Sequence, residues 1–202
     1  MAPAIDDVNA NDTKSLSIVS FNMHGFMQGY CVLEDLIKNK DDKPYVFLLQ
    51  EHWLTPANLN KFDSYFSDYF SFGCSAMSKC VESGMLHSRP FGGVMTLIHK
   101  RLRRLVETVY CEDRFVVVRV ANYLIVNVYL PCAGSTDRLL ICEDVLASIL
   151  AWRERYYMYE CVIAGDFKTN LDGSDPVSQC VNKFLQNCSL SRCDDIFPSR
   201  TL

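Results

Sequence analysis

Four polar residues stand at or just past the ends of four apolar runs. Asn22 follows Leu16-Ser17-Ile18-Val19-Ser20-Phe21, and Glu51 follows Tyr45-Val46-Phe47-Leu48-Leu49-Gln50. Tyr129 closes the run that begins at Tyr123, and Asp166 follows Cys161-Val162-Ile163-Ala164-Gly165. Each has a plainer role when taken alone: a turn residue, a surface acid, a core edge, a Gly-Asp turn. As a set they suit metal-assisted chemistry on a phosphate ester. A carboxylate such as Glu51 suits magnesium, which takes one or two protein carboxylates and fills the rest of its shell with water and phosphate. Asp166 can orient or deprotonate an attacking water. Tyr129 can donate to a phosphate oxygen, and Asn22 can hold a water or a metal-bound carboxylate.

Rigid strands must carry these four groups, because a strand fixes where its exit loop begins. Alternation over 16–21 and the unbroken apolar runs at 45–49 and 161–164 predict strands. Further strands are expected at 92–98, 105–110, 115–120 and 123–129. Helical spacing predicts helices over 30–40, over 135–157 and from Pro176 to 186. Thr55-Pro56 opens a short helix through Asn60. Residues 74–91 read as a long loop with a strand at its start, and 189–197 as one last strand. Hairpin-spaced strands mixed with long helices after single strands imply two packed sheets flanked by helices in one α/β domain. That domain spans 15–202, behind a disordered arm at 1–14.

The chain has 202 residues, 49% of them hydrophobic and 22% charged, which suits a soluble globular protein with a sizeable core. No apolar run approaches the roughly 20 residues that span a bilayer. The polar, acidic N-terminus has no signal-peptide core. An intracellular location, nuclear or cytoplasmic, is therefore expected, with no membrane contact. The ten cysteines form no Cys-x-x-Cys pair, so reduced and mostly buried thiols are expected. A net charge of -4 does not advertise nucleic-acid binding by the chain as a whole. The one dense basic segment is His99-Lys100-Arg101-Leu102-Arg103-Arg104. It is either a solvated strand end or a contact for a phosphate backbone.

The motifs Ser20-Phe21-Asn22-Met23-His24-Gly25, Leu49-Gln50-Glu51-His52, Asn127-Val128-Tyr129-Leu130-Pro131 and Ala164-Gly165-Asp166-Phe167 occur in one order and spacing. In this the chain resembles the endonuclease/exonuclease/phosphatase family. Gln50-Glu51-His52-Trp53-Leu54, the run from Ala164 through Leu171 and the Gly92-Gly93-Val94 strand start make it most similar to the apurinic-type endonuclease domain of LINE-type (non-LTR) retrotransposons. The resemblance implies a four-layer α/β sandwich and cleavage of DNA that depends on Mg2+ or Mn2+. The nick would leave a 3′-hydroxyl that primes reverse transcription, with a reverse transcriptase domain in the parent polypeptide.

Carried over position by position, Glu51 becomes the metal ligand and Asn22 a support for the metal or phosphate. Tyr129 binds the scissile phosphate, and Asp166 orients the nucleophilic water. His52, Arg101, Arg103 and Arg104 are expected on the substrate. Lys168 stands where the family pattern carries an asparagine that helps hold the attacking water. The family also ends with further strands and a Ser-Asp-His motif. The chain stops at Leu202 before any such motif, so the resemblance implies a sandwich lacking its last C-terminal strands. Two alternatives stay open: an inactive remnant that binds nucleic acid or protein, and a phospholipid or phosphoinositide phosphodiesterase or phosphatase of the same superfamily.

Overall fold

The computed structural model describes residues 16–38, 45–84 and 89–193. These cluster in two compact units, the first holding residues up to Tyr129 together with Tyr156–Phe167, the second Leu130–Arg155 and the residues from Lys168 on.

The eight strands among the described residues all belong to the first unit. β1 (Ile18–Asn22), β2 (Val46–Gln50), β3 (Tyr69–Cys74) and β4 (Val94–His99) form one sheet in the order β1-β2-β4-β3. β5 (Val106–Glu112), β6 (Phe115–Val120), β7 (Tyr123–Tyr129) and β8 (Glu160–Asp166) form the other in chain order. Each sheet is mixed. β1 runs parallel to β2 and β7 parallel to β8, while the remaining pairs are antiparallel. The α/β class and the pair of packed sheets expected from the sequence are both present.

Period-two alternation shows how the layers are built. On β2, Val46 and Leu48 join Val94, Ile98, Val116, Val118 and Ile125 in the core between the sheets. Phe47 and Leu49 point the other way, into a core with Phe26 and Leu33 of α1 (Phe26–Lys38) and with Phe62 of α2 (Lys61–Tyr65). Both faces of β2 are covered, which is why its sequence is a continuous apolar run. α1 starts earlier than its apolar spacing predicts, directly after Gly25, and its Gly29 lets it lie against the β1 exit. A Cβ on Gly29 would come within 2.6 Å of the Met23 Cβ. The presumed loop at 74–91 contains α3 (Ser78–Glu82).

The second unit holds α4 (Arg138–Arg155) and α5 (Pro176–Asn187), which pack on each other. Asp175 caps α5 by accepting from the Val177 and Ser178 amides at 3.1 and 3.3 Å, with Pro176 in the first turn. Residues 189–193 form no strand, and 194–197 and the arm at 1–14 lie outside the described residues. Among the described residues no helix is long and apolar enough to cross a membrane.

Of the ten cysteines only Cys142 and Cys188 are fully buried, while Cys31, Cys132 and Cys193 are exposed. The expectation of mostly buried thiols is corrected: the other five, Cys74, Cys80, Cys111, Cys161 and Cys180, are half-buried. Cys74 of β3 and Cys111 of β5 share a hydrogen bond from one sheet to the other. It holds the Cys74 thiol below the ordinary range and raises that of Cys111.

Candidate functional site

The two parallel strand pairs place four chain exits at defined register. Asn22 is level with Gln50 at the end of β1 and β2, and Tyr129 is level with Asp166 at the end of β7 and β8. Beyond β1 and β2 the two exit loops are zipped together by backbone bonds. Met23 N–H donates to Gln50 O (2.8 Å), Gly25 N–H to Glu51 O (2.7 Å) and Phe26 N–H to His52 O (2.9 Å). Glu51 and Trp53 donate in turn to Gly93 O and Gly92 O at 2.9 and 3.0 Å. Three side-chain-bearing residues in these loops, His24, Glu51 and Trp53, have left-handed φ values of 49°, 56° and 53°. Each such residue costs about 1–2 kcal/mol, so the interlocked loops must hold it there.

Asn22 gathers the acids. Its Nδ2 donates to Glu51 Oε1 at 2.8 Å and to Asp166 Oδ2 at 2.6 Å. Its Oδ1 accepts from the His24 amide at 2.9 Å. One amide group thus spends both its N–H bonds on two carboxylates from different sheets, and offsets the repulsion that two close anions would feel. Asn22, Glu51 and Asp166 are therefore brought together, with Glu51 only 8% exposed.

Beneath them lies a buried amide pair that the sequence reading did not single out. Gln50 Nε2 donates to Asn127 Oδ1 and to Leu48 O, each at 2.8 Å. Asn127 Nδ2 donates to Leu49 O (3.1 Å) and Met95 O (3.0 Å). Both residues are essentially inaccessible. The available signal was an amide inside an apolar run, since a buried amide persists only when its hydrogen bonds are met.

Tyr129, 7% exposed, is framed by Gly92 on one side and by the guanidinium of Arg114, which lies 5.3 Å from the ring centroid. The Tyr129 amide also donates to Arg114 O at 2.7 Å. Arg114, in the turn before β6, places a cation at this end of the second sheet. Sequence reasoning missed it because a lone arginine in a tight turn looks like any solvated charge.

The four residues expected on the substrate take two kinds of position, one in the core and three at the far end of a strand. His52 is fully buried: its Nε2 bonds Cys74 O at 3.1 Å and its Nδ1 accepts from Leu54 N–H at 3.0 Å. Burial pushes its pKa down to about 4. Its ring fills the space where Gly93 lacks a side chain, so it braces the loop from within. Arg101, Arg103 and Arg104 lie on a short 3-10 segment, Lys100–Leu105, after β4. Because β4 runs antiparallel to β2, pairing Val94 with Gln50 and Ile98 with Val46, that turn sits at the opposite end of the sheet. The separation is the length of β4, on the order of 15–20 Å. The three guanidinium groups are therefore set apart from the Glu51 carboxylate by that length.

Lys168 lies in the second unit, in left-handed backbone with φ 51°. Its carbonyl accepts from Arg138 Nη2 at 2.6 Å, and Arg138 Nε donates to Pro131 O at 3.1 Å. The Lys168 backbone is thus pinned from α4.

Among the described residues no group of three or more histidines, cysteines or acids gathers in a metal-binding cluster. The donor set is the carboxylate pair Glu51 and Asp166 with the Asn22 amide, all oxygen- and amide-based. That chemistry fits a hard cation such as magnesium, which accepts one or two carboxylates, better than zinc, which wants histidine or cysteine.

No protein-family profile and no curated protein matches the sequence. The fold, in contrast, is shared with solved structures. An AP endonuclease from Archaeoglobus fulgidus matches with a TM-score of 0.59 at 16% identity, over 86% of this chain and 71% of its own. AP endonuclease LMAP from Leishmania major matches with a TM-score of 0.63 at 11% identity, over 89% and 70%. The 3′ phosphatase NExo from Neisseria, solved with a product DNA hairpin, matches with a TM-score of 0.59 at 15% identity, over 85% and 71%. At these identities the likeness establishes the α/β fold.

Proposed function

We propose that the chain is a divalent-metal-dependent phosphodiesterase of the endonuclease/exonuclease/phosphatase superfamily that nicks DNA, and that it belongs to a LINE-type retrotransposon. The observation that carries this reading is the single amide of Asn22 holding Glu51 and Asp166 together at 2.8 and 2.6 Å. Two acids kept adjacent inside a folded rim, where each would be more stable apart, suit a site that gathers negative charge for a cation. The fold shared with AP endonucleases and a 3′ phosphatase supports the same chemistry.

In this reading Glu51 holds Mg2+ or Mn2+, with Asn22 fixing the carboxylate. When bound, the ion supplies positive charge to the phosphate oxygens as negative charge builds on them. Asp166 orients the attacking water and takes its proton. The water oxygen bonds to phosphorus as the P–O3′ bond breaks, O3′ takes a proton from solvent to become a 3′-hydroxyl opposite a 5′-phosphate, and Asp166 returns its proton to solvent. Tyr129 donates to a non-bridging phosphate oxygen, with Arg114 adding positive charge beside its ring. The 3′-hydroxyl would then prime a reverse transcriptase domain of the same polypeptide.

A nicking assay on supercoiled plasmid tests this. Conversion to open circle is expected with magnesium, none with EDTA, and none in Glu51→Ala or Asp166→Ala. A second reading, a DNA-binding remnant without turnover, is favoured by Lys168. An ammonium replaces the amide that the family places there, so it can hold a phosphate but cannot accept a hydrogen bond from the attacking water. Gel-shift binding without nicking would support the remnant and overturn the nuclease.

A further inference from the structure

Two aromatic residues on the exit loops that carry Asn22 and Glu51 lie outside the core clusters. His24 lies two residues past Asn22, and Trp53 two residues past Glu51. Their ring centroids are 4.9 Å apart and tilted by 58°. His24 is exposed and Trp53 half-buried, and neither belongs to the core cluster of Phe26, Leu33 and Phe62. The indole lies along the backbone of Gly25, where a Cβ would come within 2.7 Å of its Cε3 atom. Gly25 itself has φ 98°, so both the turn and the space for the indole call for glycine. The backbone that carries the rings is held at the same loops: the His24 amide donates to Asn22 Oδ1, the Gly25 amide to the Glu51 carbonyl and the Trp53 amide to the Gly92 carbonyl.

We propose that Trp53 and His24 form a stacking ledge for an unpaired nucleobase next to the phosphate that Asn22, Glu51 and Asp166 address. This rests on the reading of those residues as a nucleic-acid phosphodiester site, and it adds the state of the substrate. A rigid indole, seated on glycine and bounded by an imidazole, offers a flat π surface at no further ordering cost. Every base has a matching face, so such a ledge is tolerant of sequence. Bases inside a duplex are already stacked on their neighbours, so the ledge favours single-stranded, frayed or distorted DNA over intact duplex. Stacking of one base on an aromatic side chain changes affinity by roughly 5- to 150-fold.

The chain has two tryptophans, so Trp152→Phe leaves Trp53 as the only indole and a direct reporter. That protein is titrated, with EDTA present to stop turnover, with two single-stranded oligomers of equal length. One carries normal bases, the other tetrahydrofuran abasic units throughout. The base-bearing oligomer is expected to quench Trp53 emission and to bind at least 5-fold more tightly. Trp53→Ala should erase the preference, measured by fluorescence anisotropy of labelled oligomers, and Trp53→Phe should keep most of it. Equal binding of the two oligomers, or a preference that survives Trp53→Ala, overturns the ledge. Hydrolysis of bis(p-nitrophenyl) phosphate, a diester without a base, separates the two ideas. If that ester is hydrolysed while base preference is absent, the ledge falls and the phosphodiester site stands. If it is not hydrolysed and neither oligomer binds, both fall.

Discussion

Asn22 donates its side-chain amide to Asp166 at 2.6 Å, although the two residues are 144 positions apart and lie on different sheets. The same nitrogen reaches Glu51 at 2.8 Å. Asn22→Asp keeps the shape but replaces a shared donor with a third anion. Its fold should lose about 1–3 kcal/mol in EDTA, because an interaction that joined two acids becomes repulsion. Magnesium should restore much of that loss by binding the extra charge. Turnover should still fall on the order of 10²–10³-fold, since a properly held carboxylate pair is gone. Thermal unfolding with and without magnesium, beside nicking rates, checks both halves. A variant as stable in EDTA as the parent would show that Asn22 is not what holds the acids together.

The amide pair Gln50 and Asn127 should matter to stability before it matters to chemistry. Asn127→Val removes the side-chain acceptor of Gln50 Nε2, leaving its bond to Leu48 O, and takes a donor from the Leu49 and Met95 carbonyls, at a cost of about 1–3 kcal/mol. Gln50→Leu alone should cost about as much. The double variant should cost clearly less than the two added together, because no orphaned side-chain partner remains. Urea unfolding of the four proteins measures the coupling, and strict additivity would mean the pair does not act as a unit.

The strands were legible because their signals are local. Residues 115–120 and 123–129 are strands at the expected boundaries, and α5 begins at Pro176 as its cap and proline imply. The four strand-exit residues could be named as candidates from apolar runs that stop at polar groups. What could not be read was direction. The basic turn at Lys100–Leu105 is adjacent in sequence to a strand that starts near the site, yet antiparallel pairing carries its end to the far side. His52 follows Glu51 directly, but the left-handed backbone of Glu51 and Trp53 turns it inward beneath Gly93. Arg114 went unnoticed for the converse reason: only the fold brings a turn residue of β6 onto the Tyr129 ring.

His52 should give the fold an acid sensitivity of its own. Its pKa in the folded state is about 4, against 6.5 for an ordinary histidine, because burial disfavours the charged ring. The unfolded chain therefore binds a proton there below about pH 6.5, and the folded chain binds it only near pH 4. Stability should be fully present above pH 6.5 and decline as pH falls toward 4, by about 3 kcal/mol in all. His52→Gln, which retains an amide donor and an acceptor in place of the two ring nitrogens, should flatten that slope even if it lowers stability at pH 7. Chemical denaturation at several pH values, taken as parent minus variant, isolates the histidine from the carboxylates. An unchanged slope between pH 6.5 and 4 would mean that His52 is not held neutral by burial.

Charge near Tyr129 should count for more than charge in the basic turn. Arg114 lies against the Tyr129 ring, whereas Arg101 and Arg103 sit at the other end of β4. Arg114→Ala should lower kcat/KM on a short DNA duplex by about 10-fold or more, through lost positive charge and a less constrained tyrosine. It should also reduce the salt dependence of binding by about one counterion. Arg114→Lys should restore the salt slope, which needs only charge, but only part of the rate, which needs the planar group on the ring. The double charge reversal Arg101→Glu with Arg103→Glu should leave short-duplex cleavage within about 2-fold of the parent, because that turn lies at the far end of β4, roughly two Debye lengths from the strand exits at physiological salt. Rates on duplexes of 10 and 40 base pairs, at two salt concentrations, distinguish these cases. Should the reversal cripple cleavage of the 10-base-pair duplex while Arg114→Ala does not, the substrate runs along the other end of the sheet and the placement of the scissile phosphate at Tyr129 is wrong.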